Sequence, residues 1–300
     1  MDNFQVKSYN SHKSNIEKKL ADSNIEDYLF TFKNEDCFAS RMHKKTLDYV
    51  LNPFLADKDK WLTIGDYNGI EAHFLINRGQ AVVATDISDA ILSEVAKNNF
   101  ISDYKAVNVE NIPYENGSFN YVFCREAYHH FPRAYLGLYE MIRVASKAVI
   151  LVEPIDILSK IPLLLFVKNI LDKINPTYIN KIWKNRYSFE FTGNYVFKMS
   201  EREVEKAAMG IGLPCIAFKG LSTYITHTNV PEMKEVPTNK KLWNRVTRRL
   251  KILDLLGAFG IIPYNTLCSI IFTKMPDENL MQSLKDNGYK VLLLPKNPYL

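Results

Sequence analysis

Between residues 60 and 155 the chain alternates between two hydrophobic rhythms. Short runs that are apolar almost throughout (KWLTIG, AVVATD, YKAVNV, FNYVFC and KAVILVEP) are separated by segments whose apolar positions return every three or four residues. The runs have the length and β-branched content of buried strands, and the segments between them read as amphipathic helices. GIEAHFLINRG predicts a helix closed by Gly79 at its C-terminal cap, and SDAILSEVAKNN one with Ser88 as N-cap. PRAYLGLYEMIRVA predicts a third, with Pro132 in the first turn, where its missing N–H costs nothing. Strands and helices alternating in this way predict βαβ crossovers, and so a doubly wound α/β sheet of mostly parallel strands covered on both faces.

The rhythm is different on either side. Residues 12–58 read as helices, and 155–195 as a helical, aromatic insertion. SEREVEKAAMGIG follows, a helix opened by a Ser200–Glu203 capping box, and then the strand PCIAFKG. Residues 230–265 form a second insertion, LCSIIFTK a last strand, and the tail a helix with an extended end. The expected organisation is one domain over residues 1–300, with a helical cap at 1–58 and both insertions near one edge of the sheet.

Three hundred residues, 47% of them hydrophobic, can bury a core of that kind. A net charge of +5 is too small and dispersed to suggest a nucleic-acid partner. The four cysteines stand far apart without metal-ligand spacing, as expected of reduced thiols, and no metal site is predicted. The first residues do not read as a secretory leader. IPLLLFVKNIL is shorter than the ~20 residues of a spanning helix, and LLGAFGIIPYNTLCSIIF is broken by Pro263 and Asn265. A cytoplasmic protein is the expectation.

The stretch WLTIGDYNGIEAHFL, residues 61–75, joins the first strand to its helix through two glycines. In a doubly wound sheet such a loop lies at the carboxyl edge, where ligands bind. Asp86 ends the second strand 21 residues after Gly65, close to the spacing at which an acid grips ribose hydroxyls. The loop lacks GxGxxG, and so lacks the run of amides that holds a pyrophosphate. A nucleoside without phosphates fits better than a dinucleotide, which leaves a nicotinamide-dependent oxidoreductase as the weaker enzyme reading.

The block VNVENIPYENGSFNYVFCREAYHHFPRAYLGLYEMIRVASKAVILVEP, residues 107–154, resembles the central part of class I S-adenosylmethionine-dependent methyltransferases, in particular those acting on small molecules. The resemblance rests on Asn108 to Pro113, Ser118 to Val122, His129 and His130, Arg143 and Val144, and Glu153 and Pro154. With the loop it covers about residues 58–154 and, more loosely, 196–226 and 267–274. It implies a seven-stranded Rossmann-like sheet whose last strand is antiparallel, with S-adenosylmethionine as cofactor. By position it implies that Gly65, Asp66 and Gly69 surround the methionine part and that Asp86 holds the ribose. Ile87 would pack on the adenine, and Asn108 and the backbone of Val109 would address its edge. Thr63 and Tyr67 depart from the family pattern, where an acid and a glycine are frequent. They motivate the alternative of a catalytically degenerate methyltransferase fold kept for binding or scaffolding.

Methyl transfer to a hydroxyl benefits from a general base, and histidine suits that role near neutral pH. His130, and after it His129, are the candidates, since YHHFP follows the fourth strand at the same edge; the alternative for His130 is a structural residue hydrogen-bonded to the loop. Arg125, Tyr128 and Glu153 are candidates for substrate contact, with Glu126 beside them. The acceptor expected is a small molecule, in the narrowest form a hydroxyl of a glycan or glycolipid precursor. NKKLWNRVTRRLK (239–251) carries six basic residues and no acid. It reads as a solvated helix face, as a peripheral contact with anionic lipid, or as a site for a phosphorylated carrier. The aromatic stretch YINKIWKNRYSFEFTGNYVF reads as a lid or as a subsidiary core. Nothing in the sequence sets the oligomeric state.

Overall fold

The computed structural model describes residues 2–156, 161–175, 177, 188–190, 192–224, 240–296 and 298–299. The five expected strands of the first half form as β1 (Lys60–Ile64), β2 (Ala81–Asp86), β3 (Asp103–Ala106), β4 (Phe119–Arg125) and β5 (Ala145–Pro154). They are parallel. β6 (Cys215–Leu221), β7 (Thr266–Phe272) and β8 (Lys290–Leu293) complete one sheet in the order β3-β2-β1-β4-β5-β7-β6-β8. β7 is inserted between β5 and β6 and runs antiparallel to both. Strand order reverses between β1 and β4, and this switch point positions the site.

The sheet has eight strands instead of the seven expected. The tail, read as a helix and an extended end, adds β8 antiparallel to β6. Its helix, Glu278–Asp286, is followed by Gly288, whose φ of +77° turns the chain back. Tyr289 is then buried and its hydroxyl donates to the Val50 carbonyl at 2.6 Å. β8 therefore pairs an edge of β6 that would otherwise be open. At the other end of the sheet β3 is four exposed residues, Asp103 to Ala106, a short polar edge unsuited to further pairing.

Alternate residues of β1 face two hydrophobic layers. Trp61 packs with Tyr121 and Phe123 under helices α4 (Ile70–Ile76) and α5 (Ala90–Lys97), while Leu62 and Ile64 pack with Val122 and Cys124 under α6 (Ala134–Val144). The cap is three helices, α1 (Asp2–Asp22), α2 (Ile25–Lys33) and α3 (Phe38–Leu51). In a third cluster Phe38, Ala39 and Met42 of α3 meet Leu242, Val246 and Leu250 of the Lys240–Ala258 helix. After β5 comes α7 (Pro162–Ile174). Among the described residues no helix is long and apolar enough to cross a membrane.

Two helix starts lie later than expected. The carboxylate of Asp86 accepts the Ser88 N–H at 3.4 Å, forming a turn, so α5 begins at Ala90 with Asp89 at the cap position. Arg133 stands at the cap position of α6 without capping it and Pro132 lies outside the helix, because Glu110 takes both the Arg133 N–H at 3.0 Å and its Nε at 2.6 Å. The Ser200–Glu203 capping box forms as read, opening the Glu201–Gly210 helix.

Candidate active site

The loop after β1 turns on Gly65, at φ +67°, and Gly69, at φ +76°. A Cβ on Gly65 would fall onto the Ala127 methyl, so the first glycine is required both by its backbone and by the close approach of the β4 loop. Tyr67 adopts no left-handed conformation: among the described residues only Asn99 and Glu126 do so without being glycine. Its ring packs edge-on to Tyr28, with the two hydroxyls 3.4 Å apart. Thr63 donates to the Asp66 carboxylate at 2.9 Å. Both departures from the family pattern are therefore accommodated by the packing.

The carboxyl ends of β1, β2 and β4 open into a cavity of about 270 Å³. Its walls include Gly65, Tyr67, Asp86, Ile87, Val107, Val109, Glu126, His130 and Phe131, and α1 closes it with Tyr9, His12, Asn15, Ile16 and Lys19. Asp86 is 8% exposed, and burial pushes its pKa up to about 6 against the pull of the Ser88 and Ile87 N–H groups. A buried carboxylate beside apolar Ile87, Val107 and Val109 suits a ligand with a diol and a flat ring. The residues present thus fit the nucleoside moiety of S-adenosylmethionine.

Glu126 directly follows β4 at φ +54°. Its N–H donates to Val152 at 2.9 Å, which prolongs the β4–β5 register and leaves the side chain on the cavity wall. Burial, reinforced by the charge of Glu153, raises its pKa to about 7. A non-glycine residue held in the left-handed region of a cavity wall is the kind of strain that clusters at functional sites.

The next residues form a short 3-10 turn, Tyr128–His130, fastened from beneath. Glu153 is wholly buried. One of its carboxylate oxygens accepts the N–H groups of Ala127 at 2.9 Å and Tyr128 at 2.8 Å, and the other takes His129 Nδ1 at 2.6 Å. His130 faces the cavity, its Nδ1 hydrogen-bonded to Glu190. Burial works against the Glu190 charge, but the His12 and His130 bonds outweigh it and hold its pKa far below the usual range. Asn194 fixes the backbone by donating to the His130 carbonyl at 2.7 Å.

The predicted residues fall into two groups. Gly65, Asp86, Ile87, Val109 and His130 line the cavity. Asp66, Gly69, Asn108, Arg125, Tyr128, His129 and Glu153 do not, and each is otherwise engaged. Asp66 turns inward to accept the Ala72 and Glu71 N–H groups at 2.9 and 3.3 Å, so it caps α4. Asn108 accepts the Glu110 N–H at 2.9 Å within its own turn, and Gly69 abuts Ile101 and Leu92. Tyr128 is buried with Phe131. Arg125 points away from the cavity, into an ion pair with Glu71 and a 3.2 Å contact with His43 Nδ1. Burial opposes the Glu71 charge, but the Arg125 guanidinium prevails and lowers its pKa to about 2. Burial and then Arg125 depress His43 to about 4.

Sequence reasoning missed His12, Glu190 and the closure of the cavity by α1. No motif marks them, since their roles arise from segments remote in sequence. Of the aromatic stretch read as a lid or as a subsidiary core, residues 178–187 and 191 lie outside the described residues. The remainder supplies Glu190 and Asn194.

Residues 62–152, from β1 to β5, match the family described as a methyltransferase domain. Among curated proteins, none matches the chain in sequence. Solved structures with a similar course include a SAM-dependent methyltransferase from Methanosarcina mazei, at 14% identity and a TM-score of 0.47, over 76% of this chain and 98% of that one. Another is the magnesium protoporphyrin IX methyltransferase of Synechocystis PCC 6803 with bound SAH, at 14% identity and TM-score 0.45, over 78% and 84%. The strand order, the switch-point cavity and the matched segment agree on a class I S-adenosylmethionine-dependent methyltransferase. Residues 62–152 are a methyltransferase domain of that kind, and the enzyme they form uses S-adenosylmethionine as its cofactor.

Proposed function

We propose that the enzyme methylates a hydroxyl oxygen of a small-molecule acceptor, with His130 as general base. The observation that carries this reading is the Glu190–His130 pair on the cavity wall. A carboxylate that accepts the Nδ1 proton fixes the tautomer and leaves Nε2 free to take a proton. When bound, the cofactor supplies a methyl group on a sulfonium, activated for in-line displacement.

Asp86 would hold the ribose diol, and Gly65, Ile87 and Val109 would pack against the rest of the cofactor. Asp66 and Gly69 would act by shaping the loop, and Asn108 retains an oxygen lone pair for the adenine edge. Glu153 and His129 would hold the turn so that His130 meets the acceptor in a fixed geometry. Arg125 and Tyr128 would support the wall from behind. The narrower acceptor class, a hydroxyl of a glycan or glycolipid precursor, is supported by the cationic row on the Lys240–Ala258 helix, which suits a substrate carried on an anionic or phosphorylated anchor.

The test combines calorimetry with an acceptor screen for uptake of labelled methyl. His130→Ala should keep its affinity for S-adenosylhomocysteine and lose about 10²–10⁴-fold in turnover. Glu190→Gln should lose less, because the imidazole remains. If His130→Ala keeps full turnover while Glu126→Gln loses it, the base is Glu126.

A further inference from the structure

The buried side of the Lys240–Ala258 helix is accounted for by α3, and no described residue packs on its opposite side. Lys241, Arg245, Arg248, Ile252, Leu255 and Phe259 follow one another at spacings of four, three, four, three and four, which is a single stripe along the helix and its last turn. All six are exposed, Leu255 by 58% and Phe259 by 74%. The stripe is sorted lengthwise, with three cations in the first half and three large apolar side chains in the second. Ile261 follows, 67% exposed, after Gly260 has turned the chain.

No described residue forms an ion pair with Lys241, Arg245 or Arg248. The first acid along the helix, Asp254, is turned to the body of the protein, where it accepts the Ser222 N–H at 2.8 Å. Ser222 lies just past the carboxyl end of β6. The apolar end of the stripe is therefore on the edge of the sheet that carries the candidate site.

We infer that this stripe docks the enzyme on an anionic lipid bilayer. Lengthwise sorting is what a bilayer selects, because phosphates lie at one depth and acyl chains below them. A helix tilted with its C-terminal turn downward places Leu255, Phe259 and Ile261 among the chains while the cations remain at the headgroups. Helix α7 presents a second stripe of the same apolar kind. Leu163, Phe166, Ile170 and Ile174 are spaced by three, four and four and are 43% to 70% exposed. A fluid bilayer can receive two separate apolar stripes without a matching pocket for either.

The experiment is co-sedimentation of the full chain with phosphatidylcholine vesicles, with and without phosphatidylserine. Wild type should sediment with the anionic vesicles and be released by salt. Removing three basic contacts should weaken partition by about a hundredfold, so Lys241→Glu/Arg245→Glu/Arg248→Glu should stay in the supernatant. Leu255→Ser/Phe259→Ser should also bind more weakly, in a way that low salt does not restore. Affinity for S-adenosylhomocysteine should be unchanged in both variants, which establishes that each is folded. Sedimentation unaffected by the charge reversals overturns the inference. So does a stripe whose apolar variant abolishes self-association in the ultracentrifuge while wild type ignores vesicles, since the occupant is then a second copy of the chain.

Discussion

Single residues decide the shape of the site. Gly65 has two separate reasons to be glycine, its φ of +67° and the Ala127 methyl where a Cβ would stand. Gly65→Ala should therefore cost about 2 kcal/mol or more, from the left-handed backbone and the clash together. Adding Ala127→Gly should recover the clash but not the backbone cost, and thermal unfolding of both variants separates the two. Asp86 makes a prediction about pH. Its pKa in the folded protein, about 6, lies above the ordinary 3.8, so the free enzyme keeps it protonated through a window in which an unfolded chain would be ionised. The stability it contributes is present at low pH and lost as pH rises through 6. The ribose diol that Asp86 is proposed to hold requires the ionised form, so affinity for S-adenosylhomocysteine should fall as pH drops from 7.5 through 6. Asp86→Asn should bind at least tenfold more weakly at pH 7.5 and show little of this dependence.

Elements are held by buried polar groups that the cavity does not see. Glu153 satisfies two buried N–H groups and His129, and so ties β5 to the turn after β4. Removing it as Glu153→Ala leaves those donors unsatisfied and should destabilise by about 3 kcal/mol, measurable by denaturant unfolding. The cap and α4 are joined by a second polar group, the half-buried His43, which meets the Arg125 guanidinium paired with Glu71. His43 has a folded pKa of about 4, below its ordinary 6.5, so the unfolded chain takes up the proton first. Its contribution is present above pH 6.5 and lost as pH falls toward 4. Urea midpoints measured across that window should decline in wild type and decline less in His43→Gln.

Across the whole molecule the two halves of the site differ in how firmly they are held. β4 and β5 lie mid-sheet with fully buried residues on both faces, whereas α1 has one buried hydrophobic side chain, Ile16, and two buried faces are not available to it. Local opening should follow that difference. Hydrogen exchange should show α1 gaining protection when S-adenosylhomocysteine binds, because Tyr9, His12, Asn15 and Lys19 face the cavity. The amides of β4 and β5, slow already, should not change. Equal protection in both regions would mean that α1 is a fixed wall and not a cover that ligand binding secures.

Periodicity alone specified the five parallel strands, the crossovers between them and the carboxyl edge on which ligands bind, because a two-residue or 3.6-residue rhythm is a property of contiguous sequence. It also placed Gly65 and Asp86 at the cavity wall, because a turn glycine and a strand-end acid at a set spacing are readable along the chain. The tertiary structure decided the rest. Whether Arg125, Glu153 and Asp66 face a ligand or the interior depends on what stands behind them, and Glu71, the Ala127 and Tyr128 amides, and Thr63 stand there. The partner of His130 is 60 residues away and the roof of the cavity about 50 residues before the loop it covers. β8 likewise forms only because the edge of β6 is left open for it. A buried polar side chain has to find its partner in space, and no local pattern records which partner that will be.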